Sequence, residues 1–175
     1  MTVDPAKLHL THYPAAILRL KAKPIEDIND EVRAVADRMI DLMHAEEGVG
    51  LAAPQVGLPW RMFVTDVVDD GGPRVYVNPT VTLLAGPRGV HEEGCLSLPG
   101  IRVDIERPNS ASISAMGLDG QPINRISDSF VTRVWQHEFD HLNGVMIIDK
   151  MSTLDRLATR RILKELEAAA RPVKF

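Results

Sequence analysis

The chain contains a single cysteine, Cys95, among its 175 residues. An internal disulfide is therefore excluded, and a lone thiol fits a reducing compartment. No run of apolar residues is long enough to span a bilayer. The first residues, "MTVDPAKLHLTHYP", lack the apolar core of a signal peptide and the Arg-rich character of a transit peptide. A cytoplasmic location is expected on that basis. Nor is there an excess of basic residues: the net charge of −4 gives no general case for binding DNA or RNA. Internal repeats and low-complexity stretches are missing too. What is present is ordinary, with 45% hydrophobic and 25% charged residues, as in a soluble globular protein. At this length one domain over residues 1–175 is the expected organisation.

Charge is unevenly spread. From Lys150 to Phe175 there are seven Lys/Arg against three acidic residues, so this segment is net +4 and the preceding 149 residues net −8. The plainer reading is a solvated helix face; the alternative is a docking surface for something acidic. Three helices are expected. Val32, Val35, Ala36, Met39, Ile40 and Met43 recur at helical spacing, with Asn29 as cap and Gly48 as stop. A second helix is expected from about Asp128 to Asn143, capped by Ser127 or Asp128 and stopped by Gly144. Phe130, Val131, Val134, Trp135 and Leu142 make it apolar on more than one side, so it lies inside the fold. A third begins near Ser152 and runs to about Ala170, with an apolar stripe at 154, 157, 158, 162 and 166. Between Arg61 and about Asn124 the texture is β-rich: "RMFVTDVV", "RVYVNPTVTLL", "IRVDIE" and "SASISAM" are punctuated by Gly and Pro turns. With no helices between them, these strands are expected to be antiparallel, in an α+β fold around one buried helix.

That buried helix carries "QHEFDHLNGVMI", residues 136–147. His137 and His141 are offset by about 40° around a helix axis and about 6 Å along it, so both imidazoles can reach one ion. Glu138, about 100° away, sits beside the site as a carboxylate base rather than a ligand. The bland alternative is two hydrogen-bonded core histidines. The long metalloprotease motif would supply a third ligand at position 147, but that residue is Ile147. Upstream, "HEEGCLSLPG" (91–100) holds the only thiol. A lone cysteine is most often a small buried hydrophobe. Here, though, Gly94 precedes it, and the Leu96 N–H would lie beside any ion bound by the sulfur. Thiolate plus two imidazoles leaves a tetrahedral ion one open position, the catalytic pattern. "EGVGLAAPQVG" (47–57) has little side chain over its backbone, and Gln55 is its one polar group able to point inward. Taken alone, it reads as a tight surface loop.

Taken together, "GVGLAAPQ", "EGCLS" and "QHEFDH" resemble the three signature motifs of the peptide deformylases, in order and at similar spacing. The resemblance implies antiparallel β-sheets enclosing the central H-E-x-x-H helix, with an N-terminal and a C-terminal helix. It implies Cys95, His137 and His141 as metal ligands, Glu138 as catalytic base, and Gln55 and the Leu96 N–H as oxyanion donors. The Gly50 backbone would hold the substrate as an added strand. Val49, Phe130 and Val134 would line the pocket for a methionine side chain. His91 departs from the pattern, standing where other members carry an apolar residue. The implied reaction removes the formyl group from N-formylmethionyl nascent peptides and releases formate. Its one divalent ion would be ferrous iron in the cell, with zinc, nickel or cobalt suited to the same ligands. A zinc endopeptidase is the enzyme alternative, weakened by Ile147. A catalytically silent metal-binding protein is the non-enzyme alternative, weakened by Glu138 and Gln55. Arg156, Arg160, Arg161 and Lys164 of the C-terminal helix would dock on the ribosome. No membrane partner and no specific DNA binding are expected.

Overall fold

Helix α1 (Asp30–Ala45) forms where the apolar spacing places it in the computed structural model, which describes residues 2–170. Asn29 Oδ1 accepts from the Val32 N–H at 3.1 Å, satisfying one of the free amides of the first turn. The stop differs from expectation: the left-handed residue is Glu47 (φ 53°), and the Gly48 N–H closes back on Met43 O at 2.8 Å. Gly48 is closely packed: a Cβ there would lie 2.9 Å from Leu96 Cδ1 and 3.3 Å from Met43 O, so the Leu96 side chain would have to shift.

Seven strands follow: β1 (Gly50–Ala52), β2 (Met62–Val67), β3 (Gly72–Leu83), β4 (Arg88–Gly94), β5 (Arg102–Pro108), β6 (Ala111–Met116) and β7 (Pro122–Ser127). They make a five-stranded sheet, ordered β1-β2-β3-β6-β7, and a separate β4-β5 hairpin; every strand pairing is antiparallel. The β-rich texture marks β2, β3, β5 and β6. Strands β1, β4 and β7 were not anticipated. β1 has only three residues, β4 carries mostly polar side chains on exposed positions, and β7 has no buried residue, with Ile126 among its exposed positions. β2 reads as a nearly unbroken apolar run because both its faces are covered. Met62 and Val64 pack with α1, and Phe63 and Val67 pack against helix α2 (Val131–His141).

Helix α2 lies between the sheet and the hairpin. Trp135, wholly buried, faces Phe63 and Tyr76 of the sheet, whereas Arg133 donates to Gly89 O and Ile105 O of the hairpin. The expected enclosure of this helix by antiparallel sheets is therefore found. Its start is later than the sequence suggests. Ser127 Oγ accepts from the Ser129 N–H in a turn of its own, and Phe130 takes the cap position without a side-chain cap bond. The end is as expected: Gly144 adopts φ 73°, and the Val145 N–H reaches back to Asp140 O at 3.0 Å. A Cβ at Gly144 would also lie 2.5 Å from Arg19 O, so the N-terminal segment crosses directly over this turn.

Helix α3 (Thr153–Ala169) begins at Ser152, whose Oγ accepts from the Asp155 N–H. The expected stripe is half wrong. Ile162 and Leu166 pack inward with Leu163, but Leu154 and Leu157 are 79% and 67% exposed. The helix docks through its C-terminal half, held by Tyr13 Oη donating to Glu167 at 2.7 Å. Arg171 and Lys174, counted in the basic segment, lie outside the described residues. Among the described residues no helix is long and apolar enough to cross a membrane.

Candidate metal centre and active site

Strand β4 and helix α2 bring three ligand-type atoms together. His141 Nε2 lies 3.3 Å from Cys95 Sγ and 3.2 Å from His137 Nε2, and all three atoms fall within 4.8 Å of one another. Ligand bonds of about 2.0–2.3 Å to one tetrahedral ion put the donor atoms roughly 3.3–3.6 Å apart. The Cys/His₂ set therefore suits a divalent ion such as zinc or iron in donor chemistry, and the two spacings about His141 match such an ion. The alternative of two core histidines satisfied by ordinary partners fails for His141, whose buried Nδ1 has no hydrogen-bond partner among the described residues.

The second nitrogen of His137 is fixed. Its Nδ1 bonds Glu93 Oε2 at 3.0 Å, so the ring directs Nε2 at the cluster. Glu93 is itself gripped by Arg107 (2.6 and 2.9 Å) and by Arg133 (2.6 Å). Arg107 also donates to Asp140 at 2.8 Å. Burial alone would raise the Glu93 carboxyl, but its bonds to His137 and Arg107 win and hold it well below the usual carboxylate range. Burial likewise disfavours charge on His137, yet its bonds to Cys95 and Glu93 and the nearby Glu138 raise it to about 10. His141 moves the opposite way, lowered by burial and by the charge of His137. This environment selects one positive charge at the cluster. A proton and a metal ion compete for that place.

Glu138 is 4% exposed, and its Oε2 is buried without a hydrogen-bond partner among the described residues. Burial pushes its carboxyl up to about 7, against the charges of His137 and Arg107. That value suits a group that accepts and returns a proton near neutral pH. Gly50 sits against it: a Cβ there would collide with the Glu138 carboxylate and lie 2.9 Å from Val134 Cγ1. Gln55, 1% exposed, lies in a short 3₁₀ turn (Ala53–Val56) and points inward, with Nε2 3.6 Å from Cys95 Sγ. The surface-loop reading of this segment is therefore overturned. Three sequence motifs thus converge on one point.

A family model described as polypeptide deformylase matches residues 7–157. The chain belongs to this family. It is 42% identical over 158 residues to a peptide deformylase of Thermotoga petrophila, covering 90% of this chain and 93% of the relative. A Brucella suis peptide deformylase is 40% identical over 169 residues, or 95% and 94% of the two chains. Among solved structures, a peptide deformylase of Synechococcus elongatus in complex with actinonin is similar. It has a TM-score of 0.84 and 36% identity, covering 98% of this chain and 93% of that one.

Other residues implied by the deformylase resemblance fall around the cluster at different depths. Val134 is buried on α2, one turn before the H-E-x-x-H stretch, and Gly50 faces it across the gap. Phe130, a turn earlier on that face, is 54% exposed, and Val49 is 44% exposed. Leu96 directly follows Cys95, and its side chain packs with Met43 in the α1 core. His91 is exposed on β4, two residues from Glu93 and therefore on the same face of the strand. Glu93, Arg107, Arg133 and Asp140 were not identified from the sequence. The one available signal was that Arg133 and His137 share a helix face four residues apart.

Proposed function

We propose that Cys95, His137 and His141 hold one divalent ion, and that residues 1–175 act as a single catalytic domain removing the formyl group from N-formylmethionyl nascent peptides, with release of formate. The observation carrying this reading is the convergence of three ligand atoms within 4.8 Å beside a buried carboxylate and an inward carboxamide. When bound, the ion supplies a Lewis acid and a water made nucleophilic near neutral pH. Ferrous iron is the proposed ion in the cell, and zinc, nickel or cobalt suit the same donors.

Glu138 takes a proton from the attacking water and passes it to the leaving amine, a role worth about 10²–10⁴-fold in rate. Gln55 Nε2 and the Leu96 N–H donate to the oxyanion, each contributing roughly 3 kcal/mol. β1 is an edge strand, so the Gly50 backbone can pair with an added substrate strand. Val49, Phe130 and Val134 receive the methionine side chain. Besides its oxygen and nitrogen a formyl carbon bears only hydrogen, where an internal peptide bond carries Cα, so a site with room only for that hydrogen excludes internal peptide bonds. The endopeptidase alternative is not favoured, because Ile147, where that motif needs a ligand, is packed in an apolar cluster.

Incubation with formyl-Met-Ala-Ser and with a blocked, unformylated protein separates the readings. Formate from the first alone supports deformylation; new amino termini from the second support a protease. The cytoplasm is the proposed location, with ribosomes as the source of substrate and α3 as the docking element. Arg160 and Lys164 flank the exposed Leu157 on one side of that helix. Arg156 is excluded from the test because it donates to Ile148 O at 2.8 Å and so supports the fold. Changing Arg160, Arg161 and Lys164 to Gln is expected to weaken co-sedimentation with ribosomes at low salt while sparing turnover of short peptides. Unchanged co-sedimentation rejects docking through α3.

A further inference from the structure

Ser97 is wholly buried, yet its side chain ends in a hydroxyl. Its Oγ accepts from Gln55 Nε2 at 3.3 Å. The other end of the same carboxamide is also held, since Gln55 Oε1 accepts from the Ala52 N–H at 2.8 Å. A side-chain amide is planar, with one acceptor oxygen and two N–H donors. With the oxygen fixed by Ala52 the amide cannot flip. With one N–H taken by Ser97, the second has a single direction left, and that direction is toward Cys95.

The backbone repeats this arrangement. The Thr11 N–H donates to Gln55 O at 2.7 Å, and the Tyr13 N–H donates to Ser97 O at 2.9 Å. Two residues of the N-terminal segment therefore strap the Gln55 turn to the Ser97 turn. These turns lie about 40 positions apart in sequence and share no strand pairing.

We propose that Ser97 is a positioning residue: held by the 11–13 strap, its hydroxyl occupies one Gln55 N–H so that the other is aimed at the reacting carbonyl oxygen. The proposal rests on the deformylase reading for its effect on turnover; the aiming itself does not depend on turnover. It is tested with Gln55→Ala, Ser97→Ala and the double variant, all at matched metal content. Ser97→Ala is expected to lower kcat on formyl-Met-Ala-Ser about tenfold, less than outright loss of an oxyanion donor, with KM within about twofold. In the Gln55→Ala background the same change is expected to cost less than about twofold, because the residue acts through Gln55. Equal loss in both backgrounds, or full kcat in Ser97→Ala, overturns the proposal. Ser97→Cys, similar in size with a weaker acceptor, carries the same cycle should the alanine variant not fold. A second readout needs no activity. The Gln55 side-chain amide protons, assigned by their disappearance in Gln55→Ala, are expected to exchange at least about tenfold faster in Ser97→Ala or Ser97→Cys. Unchanged exchange overturns the aiming whatever the enzyme does. Faster exchange in a protein that releases no formate upholds it and removes the deformylase reading alone.

Discussion

On the hairpin side of α2, Glu93 binds Arg107, Arg133 and the ring of His137; on the sheet side, Asp70 binds Tyr76, Arg74 and Arg125. Both carboxylates are buried. Trp135 and His137, two positions apart, sit about 200° around the helix and take one network each. Trp135 Nε1 donates to Tyr76 Oη at 3.2 Å, and Arg125 stacks over the indole at 5.5 Å. The networks differ in where their cations can turn. Side chains of Arg107 and Arg133 are 3% and 10% exposed, whereas those of Arg125 and Arg74 are 31% and 41% exposed. Loss of Glu93 leaves Arg107 with Asp140 alone and Arg133 with backbone carbonyls alone, both away from water; loss of Asp70 lets Arg74 and Arg125 hydrate while Tyr76 stays buried. One network grips a histidine of the candidate metal site and the other grips a core aromatic.

The sharpest way to break this comparison is Glu93→Gln. Breaking a buried pair costs about 3–5 kcal/mol of stability. Freeing the His137 tautomer is expected to weaken metal binding by about 10–100-fold. Competition with a chelator measures the second effect, and excess metal is expected to restore part of the activity. Asp70→Asn is expected to cost about 1–3 kcal/mol by denaturant unfolding. Its metal affinity and kcat per folded molecule are expected to stay at wild-type values; a drop in either would mean the sheet-side network also reaches the site. Tyr76→Phe leaves the Trp135 N–H without its acceptor and is expected to cost about 1–2 kcal/mol, again with unchanged metal content.

The grouping of Cys95, His137 and His141 was legible because it rests on short local patterns. The two histidines are fixed by helical spacing, and the glycine-rich stretch and the thiol segment each stand out from their surroundings. The order of helices followed from periodicity, and the antiparallel strands from the lack of helices between them. The supporting residues were not legible. Glu93 lies 14 positions from Arg107, 40 from Arg133 and 44 from His137, and nothing local ties these residues together. Strand β4 places the Glu93 carboxylate inward, and its exposed, charged sequence hides it as a strand. The α3 stripe misled for a related reason. Leu154 and Leu157 have helical spacing, but the core below them ends at Met151 and Thr159, so they have nothing to bury against.

Gly144 has no side chain with which to move a proton or hold an ion, yet the chain cannot accept even a methyl group there without displacing the carbonyl of Arg19. A saturation library scored for activity would therefore rank this position among the least tolerant in the molecule. Read without coordinates, such a score would advertise a reactive group where there is only a crossing of two backbones.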